Sequence, residues 1–157
     1  MNKIVIAIAV TILSAFMGLF ILPQKVETIR WVQVDIPEDV VWTKISDANQ
    51  WHQWQPWASS DSSNTIPWDG GVLTVSKVDT ELKSVGFEVP DNNGEGALYL
   101  EKKPEGLWIR CRYAFQADYA PIARLQGWMH RSEVALKLDE GLVALKQQLE
   151  AQQGRVK

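Results

Sequence analysis

The chain has 157 residues, with 16 basic and 19 acidic side chains and a net charge of −3, and no basic stripe or cluster that would suit nucleic acid. Its single cysteine, Cys111, excludes an intrachain disulfide and any cysteine-cluster metal site. The eight tryptophans are many for this length, and tryptophan either fills cores or sits where an apolar body meets a polar edge.

Residues 4–22 (IVIAIAVTILSAFMGLFIL) carry no charge. A helix of that length reaches roughly 28 Å, close to the hydrocarbon thickness of a bilayer. The run is longer than the apolar core of a signal peptide, and no small-x-small cleavage site follows it. The expectation is one transmembrane helix over about residues 4–22, within an anchor of residues 1–25. Lys3 before the run and Lys25 and Arg30 after it nearly balance. A two-residue hydrophilic head is easier to leave inside than a domain, so the expected orientation is N-in, C-out. In a bacterium this describes a single-pass inner-membrane protein with its domain in the periplasm.

Residues 26–152 have room for one domain. Val32, Val34 and Ile36 alternate with Gln33 and Asp35, which predicts a strand over 26–36. Pro37 suits the first turn of a helix, and Glu38 and Asp39 put negative charge at its positive end. That helix is expected to end near Asp47–Asn49. Residues 50–60, with Trp51, His52, Trp54, Pro56 and Trp57, read as a short helix or turn leading into a polar loop. Turn signals about ten to thirteen residues apart then mark an antiparallel meander, with strands over 72–78, 82–89, 97–102 and 107–116. Leu107, Ile109, Cys111, Tyr113 and Phe115 alternate with Trp108, Arg110 and Arg112, so one face of the sheet is apolar. The segment 121–152 is helical: Leu138, Leu142, Leu145 and Leu149 form a stripe that Trp128 and Ala135 extend backwards. Gly141 interrupts it at a cost of about 1 kcal/mol, as expected where a sheet comes close.

The fold class predicted is α+β: a curved antiparallel sheet wrapped round a long C-terminal helix. Three local patterns resemble the START/Bet v 1-like (SRPBCC) superfamily, in its polyketide cyclase/dehydrase and lipid transport branch. They are the strand-to-helix junction Val34-Asp35-Ile36-Pro37-Glu38-Asp39-Val40-Val41-Trp42, the aromatic run Trp51-His52-Gln53-Trp54-Gln55-Pro56-Trp57, and Glu140-Gly141-Leu142-Val143-Ala144-Leu145-Lys146 ending at Glu150. The resemblance covers residues 26–150 and implies a helix-grip fold with a cavity between sheet and helix. It supports the fold more than an activity, since one fold carries many functions.

No catalytic constellation stands out, and no cofactor or metal is expected. His52 and His130 lack the neighbouring ligands that a metal site needs. Cys111 falls on the apolar face, away from Arg110 and Arg112, and reads as a small hydrophobe. The cavity candidates are Trp54, Trp57, Phe87, Ile109, Cys111, Tyr113, Phe115 and Trp128, with ordinary core packing as the alternative. The three loop tryptophans suit core, cavity mouth or membrane interface. Tyr113 is the candidate to meet a ligand's polar end, because a buried phenol needs a partner. The leading expectation is a membrane-anchored domain that binds a hydrophobic small molecule or lipid. A cyclase-like enzyme and a ligand-free protein-interaction module are the alternatives.

Overall fold

The computed structural model describes residues 3–55, 66–68, 71–90 and 93–154. Its elements in chain order are α1 (Lys3–Leu19), β1 (Lys25–Val34), α2 (Glu38–Ser46), a 3-10 helix (Ala48–Gln53), β2 (Ile66–Trp68), β3 (Gly71–Asp79), β4 (Ser84–Val89), β5 (Gly94–Lys103), β6 (Gly106–Gln116) and α3 (Pro121–Gly154). The five strands β1-β6-β5-β4-β3 form a curved antiparallel sheet, and the short β2 extends its edge beside β3. A register shift between Val75 and Lys77 interrupts the β3–β4 ladder, and such irregularities bend a strand. Pro37, at φ −54°, opens α2 as anticipated, with Glu38 and Asp39 in its first turn.

Period-two alternation puts one side of β6 inside. Leu107, Ile109, Cys111, Tyr113 and Phe115 are buried, facing Val134, Leu138, Leu142, Leu145 and Leu149 of α3. The opposite face keeps its charges paired near water. Arg112 makes two hydrogen bonds to the Glu27 carboxylate, at 2.9 and 3.1 Å. The Arg110 guanidinium lies 4.1 Å from the Tyr99 ring centroid and 5.3 Å from that of Trp31. The long stems of these side chains cover the outer face of the sheet while their charges stay hydrated.

The N-terminal expectation needs correction. Helix α1 has 17 residues and ends at Leu19, a length of about 25 Å against a hydrocarbon core of about 30 Å. Beyond it Phe20, Ile21 and Leu22 make only tight i→i−3 bonds, and Pro23 disfavours helical geometry at the residue before it. Among the described residues no helix is long and apolar enough to cross a membrane. The transmembrane helix over residues 4–22 is therefore overturned, and with it the single-pass location and the N-in orientation. None of the residues of α1 is buried. Arg124 of α3 ties α1 to the domain, donating from Nη1 to the carbonyl oxygens of Phe20 (2.7 Å) and Leu22 (3.3 Å), groups left without helical partners.

Gly96 on β5 sits directly beneath the Phe87 ring. A Cβ there would overlap that ring and come within 2.8 Å of the Arg112 carbonyl oxygen. Gly96→Ala is expected to destabilise the fold by about 1–3 kcal/mol through overpacking. Urea unfolding would measure this, and an unchanged midpoint would contradict the packing described.

Candidate ligand cavity

The site begins with the 3-10 helix after α2. Asp47 caps it: one carboxylate oxygen accepts from the Asn49 backbone N–H (3.0 Å) and the other from Gln50 Nε2 (3.0 Å). The hydrogen bond from Gln50, supported by those from Asn49, holds the Asp47 carboxyl below its ordinary range. The cap aims Trp51 inward, where its Nε1 donates to the Ile45 carbonyl oxygen at 2.8 Å. Two further ties hold this short helix down. The buried Lys44 donates from Nζ to Gln53 Oε1 at 2.6 Å, and Gln148 of α3 donates to the Gln53 carbonyl oxygen at 2.5 Å. Burial pulls the Lys44 ammonium below the usual lysine range, and Asp47 opposes that pull.

Held in this way, the 3-10 helix closes one end of the space between sheet and α3. A cavity of about 20 Å³ remains there. Its walls are Leu73 of β3, Phe87 of β4, Leu98 of β5 and Cys111 of β6, with Leu138, Gly141 and Leu142 of α3 and Trp51, Trp54 and Gln55. The aromatic rings run on from it: Trp51 lies 5.4 Å from Trp54 and 5.8 Å from Phe87, and Phe87 stacks 6.1 Å from Tyr113. The only ionisable group among these lining residues is the Cys111 thiol, which burial pushes up to about 12. A thiol held there is neutral at physiological pH and a poor nucleophile.

Trp54 and Gln55 differ from the rest of the wall. They are 4% and 8% exposed. Trp54 Nε1 and Gln55 Oε1 are both buried and have no hydrogen-bond partner among the described residues. Natural proteins rarely leave such groups unpaired, because each loses its water without compensation.

Of the eight residues expected at a cavity, Trp54, Phe87 and Cys111 line this one. Ile109, Tyr113 and Phe115 are buried in the core beyond it. Tyr113 stands two residues along β6 from Cys111, under the aromatic stack, and does not line the cavity. Trp128 is 50% exposed on α3. Trp57 lies outside the described residues. His52 is exposed, and His130 bonds Glu133 at 2.8 Å along an open groove on α3, away from the cavity. Gln55 went unremarked in the sequence, although a polar residue inside an aromatic run is a signal for it. Gly141, marked there as a point of close approach, lines the cavity.

The fold recurs in solved structures. Norcoclaurine synthase of Thalictrum flavum, a point mutant in complex with a transition-state analogue, matches with a TM-score of 0.61 at 10% identity, over 82% of this chain and 96% of that one. A Thermobifida fusca protein matches with a TM-score of 0.56 at 18% identity, over 78% and 92%. A Bacillus thuringiensis protein matches with a TM-score of 0.55 at 13% identity, over 79% and 98%. The shared fold is a helix grip, a curved antiparallel sheet closed by a long C-terminal helix. Likeness at such low identity carries the fold alone. No family model matches the chain, and no curated protein is significantly similar to it.

The grip depends on the Asp47 cap to hold Trp51 and Trp54 in its wall. Asp47→Ala is expected to cost about 1 kcal/mol at neutral pH, as lost helix caps do. The folded-state pKa lies below the unfolded value. The stability that the carboxylate adds is therefore fully present above about pH 4 and is lost as pH falls through the folded-state value. Thermal melts followed by tryptophan fluorescence at pH 7 and pH 3 should show a larger gap between the two proteins at the first than at the second. An equal gap at both would contradict the ionic cap.

Proposed function

We propose that this helix grip binds a small, largely apolar molecule between its sheet and α3. The observation that carries the reading is an apolar cavity between sheet and α3, lined by Leu73, Phe87, Leu98, Leu138 and Leu142. The motif resemblance to the polyketide cyclase/dehydrase and lipid transport branch supports binding of a hydrophobic compound. It is not extended to a reaction, because general acid–base catalysis needs groups within hydrogen-bond reach of the substrate and among the described residues the one ionisable group in the lining is a neutral thiol.

The volume bounds the ligand. A cavity of about 20 Å³ holds one water, whereas sites for drug-sized molecules span roughly 300–1,000 Å³. Anything larger than water enters only as a wall yields. The wall best suited to yield is the 3-10 helix with Trp54 and Gln55, because side-chain bonds from Lys44 and Gln148 hold it instead of a sheet ladder. The near-complete filling of the core favours a second reading, an interaction module without ligand.

Toluene separates the two. Added to the full chain at about ten times its dissociation constant, a ligand of the folded state contributes about 1.4 kcal/mol and raises Tm by roughly 4 °C. The expected result is a saturable rise, lost in Cys111→Leu, which replaces the sulfur with three carbon atoms and so adds two heavy atoms inside the cavity. No rise up to the solubility limit of toluene would support the interaction module. An undiminished rise in Cys111→Leu would move any binding elsewhere.

A further inference from the structure

We propose that two copies of this chain exchange their N-terminal helices, each α1 packing along the outer stripe of its partner's α3. Helix α1 has no buried residue. Eleven large apolar side chains between Ile4 and Ile21 are 45–85% exposed. Isolated helices of this length are marginal in water even when rich in alanine. Instead α1 carries Ile4, Val5, Ile6, Ile8, Val10 and Ile12, whose branched side chains lower helix propensity. The helix therefore draws its stability from a surface packed against it. Ile6, Ala9, Val10 and Leu13 line an apolar groove along it. Their spacing, i, i+3, i+4 and i+7, is that of a hole that receives one side-chain knob from a facing helix.

The knobs are on α3. Ile122, Met129, Leu136 and Val143 follow one another at seven-residue intervals and are 49–61% exposed. At about 100° per residue, Leu136 stands roughly 160° round the helix from the buried Leu138. This second stripe therefore runs along the back of α3, over about 31 Å against about 25 Å for α1. Both faces lie open in the single chain, so α1 does not cover its own α3. Area and charge favour exchange over other self-pairings. A helix about 10 Å wide and 25 Å long offers roughly 400 Å² to one neighbour, and α1 paired with α1 gives each copy no more than that. Reciprocal exchange closes on a two-fold axis. Each copy then contributes one such face from α1 and one from α3, roughly 800 Å², the size of a stable interface. Two α3 stripes laid together would bring the exposed Glu133 and Glu140 against like charges, whereas residues 4–19 of α1 carry no charge.

Sedimentation equilibrium of the full chain tests this, with Ala9→Glu in the groove of α1 and Leu136→Glu on the back of α3. Both positions are exposed, so near-UV circular dichroism of the two variants should match that of the parent and show the domain folded. The expected result is a monomer–dimer equilibrium for the parent, weakened roughly tenfold or more by either substitution. Mixing the two variants should restore part of the loss. In the mixed dimer one of the two helix contacts joins an unaltered α1 to an unaltered α3, so it should be tighter than the dimer of either variant alone. Parent-like dimers of Leu136→Glu would mean that α1 pairs with α1, and parent-like dimers of Ala9→Glu that α3 pairs with α3; each would overturn the exchange. A mixture no tighter than its components would overturn it too. So would a chain that stays monomeric at every concentration, whether its α1 folds back on its own α3 or binds added phosphatidylcholine vesicles.

Discussion

The stripe of α3 that closes on the inner face of the sheet is the constraint on which the rest depends. Val134, Leu138, Leu142, Leu145 and Leu149 are all buried against the strands. Their size sets the distance between helix and sheet, and the sheet curves to follow. At one point the stripe thins: Gly141 presents no side chain beside Leu138 and Leu142, and the cavity lies there. A helix glycine with a cost of about 1 kcal/mol thus sits where the molecule leaves room.

The aromatic residues account for how little room remains. Trp51, Trp54, Phe87, Tyr113 and Phe115 form a continuous run of ring contacts across the grip. They fill the space that a wider grip would leave empty. The ion pairs of Arg110, Arg112 and His130 lie elsewhere, on the outer face of the sheet or on the far part of α3. Among the described residues the buried polar side chains are Thr28, Lys44 and Gln55. The largely apolar lining of the cavity favours binding of an apolar molecule over acid–base chemistry.

Much of the fold was legible because it follows local periods. The alternation along β6 and the i, i+4 stripe of α3 identify their buried faces without knowledge of each other, and three short motifs supply the order of elements. What failed depended on where hydrogen bonding stops or on tertiary placement. The apolar run continues to Leu22, but helical bonding ends at Leu19, and hydropathy cannot register that difference. Trp128 stands ten residues before Leu138. At about 100° per residue it is turned some 80° off the stripe, which fits its half exposure. Gln55 escaped notice because its burial comes from a 3-10 helix folded over a distant sheet. Tyr113 lies on the inward face as anticipated, but that face is longer than the cavity.

The central claim is that the grip keeps a real apolar void between sheet and α3 that a guest can occupy. Diffraction from crystals of the full chain under xenon pressure tests it most directly, since apolar cavities take up xenon. The account predicts a xenon atom bounded by Phe87, Leu98 and Leu142. Xenon found only on the exposed side of α1, where Val5, Ala9 and Leu13 form a shallow apolar groove, or found nowhere, would contradict it.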